Sequence, residues 1–286
     1  MKSTFRALLA IHCAVFLFGL AGLFGKLLAV SPALIVFGRT LFAGMALLSS
    51  LFLRRAGVVL HRWQDTLAFL AMGAILAVHW VTFFHAIQIS TVAVGLLAFS
   101  SFPVFVTFLE PLFFKERIRP ADIGVAIVVC AGLILVVPQF DLENEVMLGV
   151  LWGTVSGLTF AVLSIFNRKF AMRYSPRVVA FYQNISASVL LLPWAIEPAL
   201  EATAADWVKL VVLGVVFTAL AHSLFIKGMQ TARAQLASVI ACLEPAYGIL
   251  FAALWLREVP SLRELVGGIV IVGAIAYASK NVATTA

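Results

Sequence analysis

The sequence predicts an all-α integral membrane protein with ten transmembrane helices in two inverted five-helix repeats. Of the 286 residues, 63% are hydrophobic and only 12% are charged, and the mean hydropathy is +1.09. This composition is typical of membrane proteins and excludes a soluble globular domain. The apolar residues form runs of membrane-crossing length, and the second half of the chain repeats features of the first.

Ten apolar runs have the length at which a helix crosses about 30 Å of hydrocarbon, roughly 20 residues. No alternation typical of strands competes with the helical interpretation. The runs cover residues 8–28, 33–53, 66–87, 92–114, 121–138, 147–169, 178–196, 207–227, 234–256 and 262–279.

An internal duplication relates the two halves. At a shift of 142 positions, as from Phe83 to Phe225, five residues of the first half meet identical residues in the second: Phe83, Gln88, Pro103, Leu112 and Glu116. The pairs Ser31-Pro32 and Ser175-Pro176 extend the match at a shift of 144. A common register favours duplication over chance. We therefore expect one membrane domain built from two repeats, residues 1–140 and 141–286.

The loop charges orient the chain. One side of the membrane collects most of the basic residues: Lys2, Arg6, Arg54, Arg55, Arg62, Lys115, Arg117, Arg119, Arg168, Lys169, Arg173, Arg177, Lys227, Arg233 and Lys280. Only Lys26, Lys209, Arg257 and Arg263 lie on the other side. Because cytoplasmic loops are enriched in Lys and Arg, both termini are predicted to be cytoplasmic.

Five spans per repeat place the second repeat upside down relative to the first. Inverted repeats suit alternating access, because two such halves can exchange conformations and open a central site to either side. This favours a transporter, although a channel can also contain inverted repeats. The net charge of +7 lies mainly in short loops, where membrane orientation explains it, so we expect no binding to nucleic acid.

Signatures of enzymes and metal sites are absent from the sequence. It has no HExxH motif, no GxxxxGK[ST] loop and no cysteine pair at metal-binding spacing. Cys13, Cys130 and Cys242 fall inside apolar runs, which is typical of small core residues. We expect no enzymatic activity, no cofactor and no resident metal. A membrane-embedded enzyme with a metal held by His79, His222 and Glu244 is the minor alternative.

Several motifs resemble the EamA domains of the drug/metabolite transporter superfamily. They are the two Lys/Arg-Glu endings at Lys115-Glu116 and Arg257-Glu258, the segment Leu243-Glu244-Pro245, Lys26 before Ser31-Pro32, and Arg39 in the second span. The first span departs from the family pattern, with Phe18-Gly19 where a Trp is frequent. The resemblance covers nearly the whole chain and implies a ten-helix exporter in a bacterial inner membrane. Its substrate would be an amino acid, another metabolite, a dye or a drug.

Glu244 is the leading candidate for a functional side chain. It lies halfway along the ninth apolar run, where an ionisable group costs at least about 2.5 kcal/mol on insertion scales. It either exchanges a proton during transport or stays ionised and binds a substrate ammonium group. Pro245 and Pro103 each remove a helix donor, which either frees carbonyls or kinks the helix for packing.

The predicted substrate cavity combines aromatic rings with polar groups. His79 and His222 would approach it from opposite repeats, because His222 aligns with Trp80. Arg39 aligns with Gln183, and we expect Arg39 to have a structural role. The candidate binding residues are His79, Trp80, Phe83, Phe99, Phe102, Phe160, Asn167, His222, Glu244 and Tyr247.

Aromatic faces beside a few hydrogen-bonding groups suit a small zwitterion or an organic cation. With the resemblance, this favours export of aromatic or neutral amino acids by alternating access. The alternative is a broad exporter of cationic drugs or dyes coupled to protons. The expected partners are a small-molecule substrate, the lipid bilayer and possible coupling protons, and the expected assembly is a monomer.

Overall fold

A computed structural model describes residues 2–55, 57, 59–60, 62–114, 118, 120–139, 141, 143–232, 234–241 and 243–283. Regular structure in these residues is entirely helical. The α-helices are α1 (Lys2–Gly22), α2 (Phe24–Leu27), α3 (Pro32–Leu53), α4 (Trp63–Ile89), α5 (Val92–Phe99), α6 (Phe102–Phe114), α7 (Pro120–Val136), α8 (Glu145–Ala171), α9 (Pro176–Glu201), α10 (Ala204–Gly214), α11 (Ala221–Met229), α12 (Ala234–Ala241), α13 (Glu244–Phe251) and α14 (Leu262–Ala283). Two π-helical segments, Val215–Leu220 and Ala252–Leu256, follow α10 and α13.

Over the described residues, each of the ten predicted apolar runs is mainly helical. Within the described residues, seven stretches are long and apolar enough to cross a membrane. They are Phe5–Leu27, Pro32–Leu53, Trp63–Ile89, Val92–Phe114, Glu145–Ala171, Pro176–Glu201 and Ala204–Met229, and two shorter apolar stretches are Ile123–Val136 and Glu244–Leu256. Many large hydrophobic side chains point outward from the bundle, so the outer surface of the protein is apolar, as a membrane-spanning protein requires.

A turn at Leu23 divides the predicted helix over 8–28 into α1 and α2. Two further predicted helices, over 92–114 and 234–256, are interrupted at matched places, so the prediction of continuous helices was wrong at all three points. A turn separates α5 from α6 at Ser100-Ser101, and another separates α12 from α13 at Leu243. Each of the two matched interruptions lies just before a proline, Pro103 or Pro245, which cannot donate a hydrogen bond to the preceding turn. The first residues of α6 and α13, Phe102 and Glu244, are 142 positions apart, as the duplication requires.

Local capping is also repeated. The Ser31 hydroxyl accepts a hydrogen bond from the Leu34 amide at the start of α3, at 3.3 Å. The Ser175 hydroxyl accepts one from the Val178 amide at the start of α9, at 3.4 Å. In both helices a proline follows the capping serine, where its missing N–H is not needed. The matched Ser-Pro pairs therefore begin matched helices.

Charged residues from the family-like motifs stabilise the connection between α4 and α5. Lys26 Nζ donates to the Ser90 carbonyl at 2.6 Å, and Glu258 Oε1 accepts from the Val92 amide at 2.6 Å. Thr91 donates its hydroxyl proton to Glu264 Oε1 at 2.8 Å. Unpaired groups at a helix end and a helix start are thus satisfied by side chains of opposite charge. Lys115 and Glu116, the matching pair of the first repeat, lie outside the described residues.

Glu110 of α6 is buried and forms an ion pair with Arg168 of α8. The ion pair faces the bundle, because α6 packs along α8. The Arg168 guanidinium also lies over the Phe114 ring, 4.1 Å from its centroid. A second helix therefore supplies the compensation that a buried carboxylate needs.

Small residues set the distance between α1 and α13. A Cβ atom on Gly19 would lie 2.8 Å from both the Glu244 carbonyl oxygen and the Tyr247 Cβ. In turn, Gly248 of α13 faces the Gly19 carbonyl. Helices in a membrane approach closely where glycine leaves the backbone bare. Gly19 thus brings the start of α13 against α1.

We predict that Gly19→Ala destabilises the fold by about 1–3 kcal/mol, because the new methyl group overlaps backbone that cannot move aside cheaply. The measurement is the thermal unfolding midpoint in detergent. Gly273→Ala is the control, since a Cβ there meets nothing within 4 Å. Equal midpoints for the two variants would contradict the close approach.

A second prediction concerns pH and the Glu258 carboxyl at the end of the α13 segment. Its partial burial raises the pKa above the ordinary carboxyl value, although the Val92 amide opposes the shift. A raised folded-state pKa gives stability that is present at low pH and is lost as the pH rises through that pKa. The wild type should therefore lose stability, relative to Glu258→Gln, as the pH rises from the ordinary carboxyl range. If the unfolding midpoints of the wild type and Glu258→Gln differ by the same amount at every pH, this prediction is wrong.

Candidate functional site

The central pocket lies among seven helices. Its lining residues are Phe18 and Ala21 of α1, Arg39 of α3, His79, Trp80 and Phe83 of α4, Phe99 of α5, Phe160 of α8, His222 of α11 and Glu244 of α13. The free volume is about 20 Å³, which is enough for about one water molecule. The pocket is therefore a compact meeting point of charged, polar and aromatic side chains.

The aromatic side of the pocket is a cluster of rings around His79. The His79 ring centroid lies 4.8 Å from that of Phe160 and 5.4 Å from that of Phe99. Phe99 in turn contacts Phe83 at a centroid distance of 5.5 Å. Rings at these distances pack favourably in tilted or edge-to-face arrangements. They give the pocket an apolar wall suited to a flat or branched side chain.

The hydrogen bonds of His79 define its tautomer. Its Nδ1 atom lies 3.0 Å from the Ser156 carbonyl oxygen and 2.8 Å from the Ser156 hydroxyl oxygen. Because a carbonyl oxygen only accepts, Nδ1 carries the proton, and Nε2 of the neutral ring is an acceptor. Ser156 of α8 thus holds His79 in one orientation.

Arg39 is the strongest cationic group in the pocket, and only 1% of its surface is exposed. Its guanidinium carbon lies 3.8 Å from the centroid of the Trp80 ring. Its Nε donates a hydrogen bond to the Thr218 hydroxyl at 2.9 Å. A cation over an indole face is attracted by the negative π surface, more strongly when both are desolvated. Arg39 therefore connects α3, α4 and the π-helical segment that contains Thr218.

That π-helical segment presents Thr218 to Arg39. The Thr218 hydroxyl donates to the Leu213 carbonyl, five residues earlier, at 2.7 Å. The same oxygen accepts from Arg39, so both of its roles are used. A π-helical turn in a longer helix is uncommon and is often found at functional sites.

Glu244 is the acidic group of the pocket, with 4% of its surface exposed. It is the first residue of α13, so its carboxylate lies where the helix dipole favours negative charge. It makes no hydrogen bond to a described residue, and Arg39 is the opposite charge with which it interacts. No carboxylate of the described residues forms a salt bridge with Arg39. The two charges therefore face one pocket without direct pairing.

The structure places seven predicted site residues in the pocket lining: His79, Trp80, Phe83, Phe99, Phe160, His222 and Glu244. The other three lie outside it. Phe102 stacks on Phe99 at 5.0 Å, Tyr247 packs edge-on against Phe16 at 5.3 Å, and the Asn167 side chain bonds Gln183.

Three lining residues were not among the predicted set: Phe18, Ala21 and Arg39. Arg39 had been given a structural role, although a charge so deep in an apolar run is itself a signal of function. Phe18 stands where the family pattern often has a Trp, so an aromatic side chain is retained on that helix. Nothing in the sequence distinguished Ala21 from other small residues. Among the described residues, no group of three His, Cys, Asp or Glu side chains is placed to hold a metal.

A family model for EamA-like transporters matches residues 5–137 and again residues 147–280. The chain belongs to the EamA-like transporter family. The EamA matches and the apolar helices make it a multi-pass membrane protein of a transporter family, which is not a family of enzymes in general.

The names of individual relatives refer to different substrates. The pseudopaline exporter CntI of Pseudomonas aeruginosa is 30% identical over 242 residues, 82% of each chain. The aromatic amino acid exporter YddG of Ancylobacter novellus is 24% identical over 73% of this chain and 74% of its own. The S-adenosylmethionine uptake transporter of Rickettsia bellii is 26% identical, with coverages of 69% and 68%.

A solved crystal structure has the same fold, with a TM-score of 0.73 over 96% of both chains at 22% identity. The helical arrangement described here is thus shared along nearly the full length of this EamA protein.

We predict that Thr218→Val lowers the free energy of unfolding by about 1–3 kcal/mol, because the buried Arg39 Nε–H loses its acceptor. The thermal unfolding midpoint measures this. The control is Thr159→Val, since the Thr159 hydroxyl bonds only carbonyls of its own helix. A control that loses as much stability as Thr218→Val would exclude a special role for the Arg39 contact.

Proposed function

We propose that this protein is a ten-helix bacterial inner-membrane exporter of neutral amino acids, with aromatic ones preferred. Residues 1–140 and 141–286 form two inverted repeats that work by alternating access, and both termini are cytoplasmic. The observation that supports this most is the presence of one buried cation, Arg39, and one buried carboxyl group, Glu244, in a single aromatic pocket.

A zwitterion matches this arrangement of charges. The Arg39 guanidinium offers N–H donors suited to a carboxylate, and the Glu244 carboxylate accepts from an ammonium group. Because these two side chains are not bonded to each other, a ligand can engage both without breaking a salt bridge. The rings of Phe99 and Phe160 then receive the side chain.

The interrupted helices support the mechanism. Transporters with inverted repeats often place their site beside discontinuous helices near the middle of the membrane. Here the starts of α6 and α13 lie at matched positions of the two repeats, and Glu244 begins one of them. The two separate EamA matches agree with the division into repeats.

The pocket volume also supports a moving structure. A free volume of about 20 Å³ is far smaller than the side chain of an aromatic amino acid. Helices around the pocket must therefore separate when the substrate enters, as alternating access requires. Among the relatives, the one named an aromatic amino acid exporter supports this choice of substrate.

The second candidate is an exporter of cationic drugs or dyes coupled to protons. Glu244 and the aromatic rings favour it, since both attract cations. Arg39 opposes it, because a second positive charge in a small desolvated pocket repels the first. The pair of opposite charges therefore favours the zwitterion.

The test is uptake of labelled tryptophan into proteoliposomes, with and without a pH gradient. Wild-type protein should show saturable uptake, and Arg39→Gln and Glu244→Gln should each weaken apparent affinity by about ten- to a hundredfold, the worth of one charged hydrogen bond. The controls are Arg54→Gln and Glu143→Gln, whose side chains are exposed.

The outcomes separate the candidates. Uptake that a pH gradient drives, and that Glu244→Gln abolishes, would identify Glu244 as a proton site. Absence of tryptophan and phenylalanine uptake, together with saturable transport of a lipophilic cation, would refute the amino-acid proposal. Transport of tryptophan by the Arg39→Gln variant at wild-type affinity would refute the role of Arg39.

A further inference from the structure

Four polar residues lie fully buried beside the pocket, between α8, α9 and α11. They are Asn167, Gln183, Asn184 and His222. Gln183 Nε2 donates to Asn167 Oδ1, and Asn184 Nδ2 lies 3.4 Å from His222 Nδ1. The two bonded pairs are joined through the backbone of α9, on which Gln183 and Asn184 are adjacent. We refer to the four residues as the inner polar cluster.

Each member of the inner polar cluster keeps one polar atom that has no hydrogen-bond partner among the described residues. These atoms are Asn167 Nδ2, Gln183 Oε1, Asn184 Oδ1 and His222 Nε2. Buried polar atoms in native proteins are nearly always paired, because an unpaired one pays the full loss of its hydration. Apolar residues of similar volume would hold the same helices together without this loss. Packing alone therefore does not account for the cluster.

The unpaired atoms are two donors and two acceptors. Asn167 Nδ2 is a donor, and the Gln183 and Asn184 oxygens are acceptors. His222 Nδ1 accepts from Asn184, so the proton of the neutral ring is on Nε2, which is the second donor. Two donors and two acceptors match a solute that has both a carboxylate and an ammonium group.

Two residues of the first repeat occupy the positions equivalent to Gln183 and Asn184, namely Arg39 and Thr40. Arg39 bonds Thr218, and the Thr40 hydroxyl donates to the Val36 carbonyl of its own helix at 2.7 Å. The pair of partly bonded amides on α9 therefore has no counterpart at these two positions of α3.

The cluster extends from the pocket towards the loop between α8 and α9. His222 lines the pocket, whereas Asn167 is four residues before the end of α8. This loop and its surroundings contain Arg168, Arg173 and Arg177, as expected of a cytoplasmic side. Helix α4 packs along both α8 and α9, whereas α8 and α9 have little direct contact with each other. The Gln183–Asn167 hydrogen bond is one of the few direct links between α8 and α9.

We infer that the inner polar cluster is a second binding site for the substrate head group, occupied on the cytoplasmic side before the substrate reaches Arg39 and Glu244. Its ligand class is a small zwitterion. The inference rests on the proposed transport function for its ligand. The claim that the cluster lies on a water-accessible path does not depend on the identity of that ligand.

The first experiment replaces the amides by apolar residues of similar size in the double variant Asn167→Leu, Gln183→Met. Tryptophan uptake should fall about tenfold or more, as expected from the loss of two hydrogen bonds, while the unfolding midpoint stays equal or rises. Thr40→Val is the matched control, with wild-type uptake expected. Wild-type uptake in the double variant, or a lower midpoint that accounts for its lost uptake, would overturn the inference.

The second experiment measures access of water to the cluster. In a background with Cys13, Cys130 and Cys242 replaced by Ala, Gln183→Cys is treated with a membrane-impermeant thiol reagent from each side of oriented vesicles. We expect labelling from the cytoplasmic side, slowed by tryptophan. Ser188→Cys, a buried position further along α9, is the control. Labelling of Gln183→Cys no faster than the control from either side would overturn the inference.

The labelling result does not depend on the substrate. If wild-type protein fails to transport tryptophan but Gln183→Cys is labelled from the cytoplasmic side, the amino-acid proposal is wrong and the inner path is supported. If tryptophan is transported but the cysteine is not labelled, the proposed function stands and the inner site is wrong.

Discussion

The burial of the Arg39 guanidinium constrains the whole bundle. A cation without water must be compensated from several directions, and here the compensation comes from three separate parts of the chain. The Trp80 ring covers one face, the Thr218 hydroxyl accepts a hydrogen bond from Nε, and Glu244 supplies the opposite charge nearby. Since each of these lies on a different helical segment, one buried charge connects α3, α4, the π-helical segment Val215–Leu220 and α13. The same side chain then provides a guanidinium that lines the central pocket.

Unlike an ordinary protein core, the site contains buried polar groups whose hydrogen-bonding capacity is not fully used by the described residues. His79 has its Nδ1 fully satisfied by Ser156, and the phenylalanine rings around it are closely packed. Glu244, by contrast, makes no hydrogen bond to any described residue, and the inner polar cluster keeps four unpaired atoms. Such groups cost free energy in this conformation. We propose that a solute supplies their missing partners, so that the satisfied groups form the scaffold and the unsatisfied groups bind the solute.

Much of this arrangement could be predicted from the sequence, and the exceptions have physical causes. Apolar length predicts the helices, and polar residues inside those runs identify Glu244, His79 and His222, because each has a cost in an apolar medium. The periodicity of an apolar run does not show which side a helix presents to the pocket after a turn has interrupted it. Phe102 and Tyr247 lie outside the pocket lining, on helices that begin after the turns at Ser100-Ser101 and Leu243. The importance of Arg39 required knowledge of the opposite helix, since Thr218 is 179 residues away.

The π-helical segment Val215–Leu220 has a further mechanical consequence. Its hydrogen bonds join residues i and i+5, whereas those of the α-helices on either side join residues i and i+4, so the segment holds an extra residue within the helix. Each residue of an α-helix contributes a rotation of about 100° and a rise of about 1.5 Å. Helix α11 begins directly after this segment, and His222 is its second residue. The extra residue therefore sets the direction in which His222 leaves the helix to line the central pocket.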